Sequence, residues 1–168
     1  MVEIVKQNFK ENKKIFCEME RILKNELEKS VVISHVGSTA IPKIYGKNII
    51  DILVGVENTK IFKDVSSKLK ELGYYPSDKS KTIEYQFFAS KKEETKSGDI
   101  HIHLGIINTN RYNEFLLLRD YLLDNPNVAK EYSDYKKKIL KLESAERSQY
   151  RNIKSIYVSN LIERAKNR

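Results

Sequence analysis

Two short apolar runs, "NIIDILVGV" and "GDIHIHLGII", constrain the fold of this chain more than any other feature. Both are rich in β-branched residues and too short for ordinary helices, so they predict strands. Because side chains alternate along a strand, Asp51 points away from the face that carries Ile50 and Ile52. His101 and His103 leave the apolar face of the second run in the same way. If the two strands are neighbours, one patch of sheet carries a carboxylate and two imidazoles.

The rest of the chain alternates between helical and strand patterns before it becomes wholly helical. Apolar spacing predicts the order helix, strand, strand, helix, strand, strand, followed by three helices. Pro126 begins the second of these last helices, and the third begins near residue 145. We therefore expect one α/β (α+β) domain over residues 1–168, with a helical tail at about 108–168. The polar stretch 91–98 is expected to be a mobile loop.

Composition indicates a cytoplasmic protein with an anionic partner. No apolar run approaches the roughly 20 residues that cross a bilayer, and the N-terminus lacks the apolar core of a signal peptide, so no membrane partner is expected. Lys and Arg outnumber Asp and Glu by 31 to 23, which favours nucleotides, phosphorylated small molecules or nucleic acid. The excess is spread along the chain without a nucleic-acid-binding signature, so solvated helix faces explain it better than a nucleic-acid groove. The oligomeric state is left open.

The predicted patch of sheet has the residue types of a metal site. Two imidazoles two residues apart on one strand, with a carboxylate from its neighbour, are typical of sites with two histidines and one carboxylate, here His101, His103 and Asp51. His35 ends the preceding strand and adds a further nitrogen, as a base or a ligand, because an imidazole titrates near neutral pH. The alternative is a solvent-facing sheet whose side chains hydrogen-bond to water or to each other.

A Gly-Ser-Thr turn, Gly37 to Thr39, follows that strand. Glycine lets the backbone approach a phosphate closely, and the N–H groups after it bind anions. No lysine follows in the order of a Walker loop, and a tight turn with Ser38 as a helix cap is an equal alternative.

The helical tail offers further candidates for phosphate contacts. Two Tyr-Lys pairs are spaced four residues apart and so share a helix face, and one arginine interrupts an apolar run. Surface or interhelical contacts are the commoner use of such residues. These candidates are Arg119, Tyr132, Lys136, Tyr150 and Lys154.

Four stretches together resemble the GrpB family over about residues 30 to 162: "HVGSTAIPKIYGKNIIDILV", "HIHL", "FLLLRDYLLDNPNVAKEYSDYKKKIL" and "YRNIKSIYVSNLI". The resemblance implies a nucleotidyltransferase-like fold, a mixed β-sheet flanked by helices. That superfamily holds Mg²⁺ on two or three carboxylates to align a triphosphate. Gly37, Ser38 and Asp51 match its pattern. Leu53 stands where the second carboxylate belongs, and the later strand brings histidines rather than a clear acid.

The resemblance implies that the chain binds a nucleotide or phosphorylated small molecule at the Gly37 turn and transfers a nucleotidyl group. Asp51 and His35 would then be catalytic, and a divalent metal (Mg, Mn or Zn) would lie on Asp51 and the two later histidines. Because imidazoles favour other metals over Mg²⁺, the exchange of an acid for Leu53 opens two alternatives. One is a binding module that has lost transfer chemistry, and the other is a metal-dependent hydrolase of phosphate esters.

Overall fold

A mixed five-stranded sheet forms the centre of the computed structural model, which describes residues 3–27, 31–90, 99–142 and 147–167. The strands are β1 Val5–Lys6, β2 Val32–Val36, β3 Tyr45–Gly46, β4 Ile50–Val56, β5 Tyr74–Ser77, β6 Tyr85–Ser90 and β7 Ile100–Ile106. In the five-stranded sheet the order is β2-β4-β7-β6-β5, and β1 pairs with β3 in a separate ribbon. β4 and β7 run parallel, whereas the other neighbours are antiparallel.

The described residues form five α-helices around this sheet and the β1–β3 ribbon. They are α1 Phe9–Glu26, α2 Thr59–Glu71, α3 Asn110–Asp124, α4 Pro126–Leu142 and α5 Arg147–Lys166. The side chains of Asn8 and Asn58 accept hydrogen bonds from backbone N–H groups in the first turns of α1 and α2, which satisfies donors that a helix start leaves open.

The apolar face of the sheet packs against α1 and α2. Ile52 and Ile102, on the parallel pair of strands, are fully buried in one cluster with Leu23 of α1 and Leu69 of α2. This burial of β-branched and leucine side chains supplies the main hydrophobic stabilisation of the fold. It also turns the opposite side chains of β4 and β7 toward the other face of the sheet.

On that second face α3 packs against the sheet, while α4 and α5 pack on α3, on each other and on the segment 41–46. Tyr112 of α3 lies in one buried cluster with Val36 and Leu53, while Tyr132 of α4 and Leu161 of α5 share a further cluster. The predicted α/β architecture, a mixed sheet with flanking helices and a helical C-terminal segment, is confirmed. None of the described helices combines the length and the apolar character needed to cross a membrane.

Two parts of the prediction need comment. Strands β1, β3 and β5 were not predicted. β1 and β3 are only two residues long each. β5 contains Pro76, its side chains are half-buried or exposed, and it lies at the edge of the sheet, where proline is tolerated. The loop expected at 91–98 lies outside the described residues.

Candidate functional site

The carboxylate and imidazoles predicted from strand alternation meet on one face of the sheet. Asp51 is in register with His101, and Leu53 is in register with His103 on the parallel strand β7. Oδ1 of Asp51 lies 3.3 Å from Nδ1 of His101 and 3.3 Å from Nε2 of His103. The expectation that β4 and β7 are neighbours is therefore correct, and the three side chains form one cluster.

Aromatic side chains enclose His103. The Tyr85 hydroxyl lies 2.8 Å from Nδ1 of His103, so both ring nitrogens have a partner. The ring centroids of Phe115 and Phe87 lie 4.5 Å and 5.4 Å from that of His103. Arg111 stacks over Tyr85, with its guanidinium carbon 5.1 Å from the ring centroid. His103 is thus held in a fixed orientation.

Asp51 and His103 influence each other's protonation. Burial raises the pKa of the Asp51 carboxyl, but hydrogen bonds and charge interactions with His101 and His103 outweigh burial and hold that pKa well below its usual range. Burial lowers the pKa of His103 more than the neighbouring Asp51 raises it. Asp51 is therefore ionised and His103 is neutral, so Oδ1 of Asp51 accepts a hydrogen bond from Nε2 of His103.

The three side chains predicted as a metal centre do not form one as they stand. In the described parts of the chain, no group of three or more histidine, cysteine, aspartate or glutamate side chains is arranged to hold a metal ion. His101 and His103 instead each turn one ring nitrogen to the Asp51 carboxylate, 3.3 Å from its Oδ1. Leu53 is fully buried where a second carboxylate would be needed. The divalent metal (Mg, Mn or Zn) stays a prediction.

The Gly37 turn lies directly against Asp51. Gly37 has φ +72° and ψ −170°, a conformation that glycine alone adopts readily. A Cβ at this position would overlap the Asp51 carboxylate. Ser38 then starts a 3₁₀ turn, and its Oγ lies against Gly46 of β3, where a Cβ would overlap it. The turn is thereby held between Asp51 and the β1–β3 ribbon.

His35 lies away from the Asp51 cluster. It is in register with Ile52 and shares that residue's face of the sheet, stacked parallel on Phe16 with ring centroids 4.6 Å apart. Its Nε2 lies 3.0 Å from Oγ1 of the fully buried Thr39. Strand alternation explains this placement. Val36 pairs with Asp51, so the residue before it, His35, points to the opposite face of the sheet. Its catalytic role stays a prediction, and this geometry does not support it.

Arg119 fastens α3 to the end of β2. Its Nη1 donates to the backbone carbonyl of His35 at 3.4 Å, and its Nε donates to Asp120 at 2.7 Å. The predicted phosphate contact of Arg119 is untested. These two hydrogen bonds give the side chain a structural task as well.

We expect His35 to make the fold sensitive to acid. Burial, opposed by Asp51 and assisted by Arg119, lowers the pKa of His35 from 6.5 to about 4. Because the unfolded chain binds the proton more readily, the stability that the neutral ring contributes is complete above pH 6.5 and is lost as pH falls toward 4. His35→Phe keeps an aromatic ring on Phe16 but cannot titrate. Between pH 6.5 and 4 its free energy of unfolding should therefore fall by about 1–2 kcal/mol less than that of the wild type, allowing for solvent screening.

Urea unfolding of both proteins at several pH values between 4 and 7 measures that difference. Other titrating groups affect both proteins equally, so parallel curves would contradict the assignment to His35.

The two Tyr-Lys pairs of the helical tail come together beside β3. Lys136 is only 2% exposed, its ammonium donates to the backbone carbonyl of Tyr45, and Nζ lies 4.4 Å from the Tyr132 ring centroid. Burial and the charge of Lys154 lower the pKa of Lys136 to about 7. Tyr150 is likewise buried. No carboxylate of the described residues lies within ion-pair distance of this lysine pair, Lys136 and Lys154.

Contacts through the turn connect the lysine pair to the Asp51 cluster. The Asp51 carboxylate touches Gly37, and the next residue, Ser38, touches Gly46. The carbonyl of Tyr45, which precedes Gly46, accepts a hydrogen bond from the Lys136 ammonium. Burial and, to a lesser extent, the charge of Asp51 also raise the pKa of the Tyr132 hydroxyl. The two clusters therefore belong to one region of the molecule.

Sequence reasoning missed the aromatic shell and its arginine. Tyr85 and Phe87 alternate on β6 as the histidines do on β7, so a correct pairing of these strands would have placed them on the same face. Phe115 and Arg111 come from α3, and their contacts depend on how that helix docks. No local sequence signal indicates that docking.

Comparison with known proteins identifies the family. The family model described as GrpB protein matches residues 2–164. Glutamate-rich protein GrpB of Alkalihalophilus pseudofirmus is 34% identical over 164 residues, covering 95% of this chain and 94% of the relative. UPF0157 protein YqkA of Bacillus subtilis is 29% identical over 136 residues, 81% of this chain and 39% of YqkA.

A solved structure shares the fold. The crystal structure of conserved protein GrpB from Enterococcus faecalis superposes with a TM-score of 0.83 and 23% identity over 97% of this chain and 96% of that one. On the match of its family model and of its relatives, the chain belongs to the GrpB protein family.

Proposed function

We propose that this protein binds the phosphate group of a nucleotide or another phosphorylated small molecule between the Gly37–Thr39 turn and the lysine pair. The observation that carries this proposal is the burial of the Lys136 ammonium without a carboxylate partner among the described residues. Its hydrogen bond to the Tyr45 carbonyl leaves two of its three N–H donors for other partners.

The energetics favour an anionic ligand. Burying an ammonium costs several kcal/mol unless a charge partner or hydrogen bonds compensate, and here the charge of Lys154 adds repulsion. A phosphate accepts several hydrogen bonds and would supply the missing negative charge. The net charge of +8 favours the approach of such a ligand.

Nucleotidyl transfer is the reaction that the family resemblance implies for a ligand held here. Asp51 and the Gly37-Ser38 pair lie in contact, which supports that reading. The buried Leu53 supports a second candidate, a binding module without transfer chemistry, because two-metal transfer depends on paired carboxylates.

A matched pair of lysine variants tests the proposal. Calorimetric titration with ATP and with sulfate should show that Lys136→Met weakens binding about tenfold or more, because a charge-assisted hydrogen bond contributes about 1.5–3 kcal/mol. Lys137→Met removes the same charge from the adjacent residue, which is more exposed and pairs with Asp134 at 3.5 Å. This control should stay within about twofold of the wild type, as expected for an exposed ion pair.

Thermal denaturation of both variants establishes that they are folded. The proposal fails if neither ligand binds the wild type, or if the two variants weaken binding equally.

The affinity for sulfate should fall as pH rises above about 7. The free protein loses the Lys136 proton near that pH, and sulfate binding requires the protonated form, so the affinity falls up to about tenfold per pH unit. Sulfate keeps the same charge over this range, so the change reports on the protein. Lys136→Arg, which stays protonated, should bind with little dependence on pH between 7 and 9. An equally steep fall for the arginine variant would assign the titration to another group.

A further inference from the structure

We propose that Nε2 of His101 is the nucleophile of this site, reacting with phosphorus, and that Asp51 holds the ring in the tautomer that exposes this nitrogen. The inference deepens the proposed function and rests on it for the nature of the ligand, since it names the atom that reacts with the bound phosphate. It differs from a metal-dependent transfer because the histidine takes part directly and Asp51 serves as a positioning residue.

The contact with Asp51 assigns the tautomer of His101. In the neutral form the ring carries one proton, and the nitrogen that lies 3.3 Å from Oδ1 of Asp51 is the place for it, because a carboxylate can only accept. This nitrogen is Nδ1, which leaves the lone pair on Nε2. No described residue hydrogen-bonds to Nε2, and the side chain is 21% exposed. A carboxylate on Nδ1 with a free Nε2 is the arrangement in which histidine takes or attacks a substrate atom.

His103 has the opposite arrangement. It faces Asp51 with Nε2, so that nitrogen carries the proton, and its Nδ1 lies 2.8 Å from the Tyr85 hydroxyl, which donates to it. Both nitrogens are thus occupied, and the rings of Phe87 and Phe115 lie against the imidazole. His103 therefore orients Asp51 and leaves His101 as the exposed member of the cluster.

The chemical step balances without a metal. The Nε2 lone pair of His101 attacks phosphorus, a new N–P bond forms, and the bond from phosphorus to the leaving group breaks. The leaving group departs with that electron pair. The ring becomes cationic, and the Asp51 carboxylate stabilises the charge through the Nδ1 proton, which it does not remove. The product is a phosphoryl-histidine or nucleotidyl-histidine that an acceptor hydroxyl or water can resolve.

The tautomers can be read directly, because the chain has three histidines. Long-range ¹H–¹⁵N correlation spectra of the wild type at pH 7.5 should show His101 protonated at Nδ1 and His103 protonated at Nε2. In Asp51→Asn the amide can also donate, so His101 should lose its fixed Nδ1–H form. A wild-type His101 protonated at Nε2 would overturn the proposal, and this readout depends on no ligand.

Phosphorylation with phosphoramidate tests the reactivity. Nε2 attacks its phosphorus, the donor's P–N bond breaks and ammonia leaves. In the wild type, mass spectrometry of peptides should locate the added phosphoryl group on His101, with labelling of His103 and His35 at least about tenfold lower. In Asp51→Asn, labelling of His101 should fall by a similar factor.

The two proposals fail in different ways. Sulfate binding that depends on Lys136, with no label on His101, would overturn the nucleophile and keep the phosphate site. A label on His101 without any sulfate or ATP binding would overturn the phosphate site and support the reactive histidine.

Discussion

Gly37→Ala should lower the free energy of unfolding by about 3 kcal/mol, the sum of backbone strain of about 1–3 kcal/mol and displacement of a buried carboxylate. Gly37 has a φ of +72°, and an added Cβ would overlap the Asp51 side chain. Asp51 can yield only by losing its contacts with the two histidines. For a chain of this length the melting temperature should fall by about 6–12 °C.

Gly73→Ala is the matched control. Gly73 also has a positive φ, of +86°, but no atom lies within 4 Å of its added Cβ. This variant should therefore show the backbone strain alone, about 1 kcal/mol. Histidine NMR signals should change in Gly37→Ala and stay unchanged in Gly73→Ala. Equal losses of stability in the two variants would show that the contact with Asp51 carries no energy.

Leu53→Asp should be the most destabilising of the substitutions considered, by about 4 kcal/mol or more, because it leaves a cavity and buries an unpaired carboxylate. Leu53 is fully buried against Val36 and Tyr112, in register with His103. A second carboxylate there would also lie beside the negative charge of Asp51. The substitution introduces the acidic residue that the family resemblance predicts at this position, yet its surroundings are apolar.

Leu53→Asn separates the two causes, since asparagine has the same shape without the charge. It should lose about 3 kcal/mol, mainly through the cavity. Burial would raise the pKa of the new carboxyl above its unfolded value, so the extra loss in Leu53→Asp should grow as pH rises and shrink toward pH 4. Urea unfolding of both variants at pH 4 and pH 7 measures this extra loss of stability. Recovery of stability or nucleotidyl transfer with Mg²⁺ or Mn²⁺ would instead indicate a transferase that has lost one ligand.

Patterns that act within one strand or one helix were reliable guides to this fold. Alternation placed Asp51, His101 and His103 on one face, and the Tyr-Lys spacing placed Lys136 over Tyr132. Applied to His35, the same alternation places its side chain on the face opposite Asp51. We expected His35 at the site because it ends the strand just before the Gly37 turn.

What could not be predicted depends on docking between distant segments. The approach of α3 decides that Arg119 contacts the His35 carbonyl, and that Phe115 covers His103. The ammonium of Lys136 reaches Tyr45, 91 residues away along the chain. Tertiary packing fixes these distances, and no local pattern reports on it.

The hydrogen bond from Lys136 to Tyr45 joins two separate parts of the fold in one candidate site. The Asp51 cluster belongs to the sheet, whereas the lysine pair belongs to the last two helices, which reach the Gly37 turn through this contact. A phosphate held by both parts would bind only when those helices are docked, so ligand affinity and helix docking are thermodynamically linked. Opening of α4 and α5 would release the ligand while the sheet stays folded, and an occupied site would hold the two halves of the sequence together.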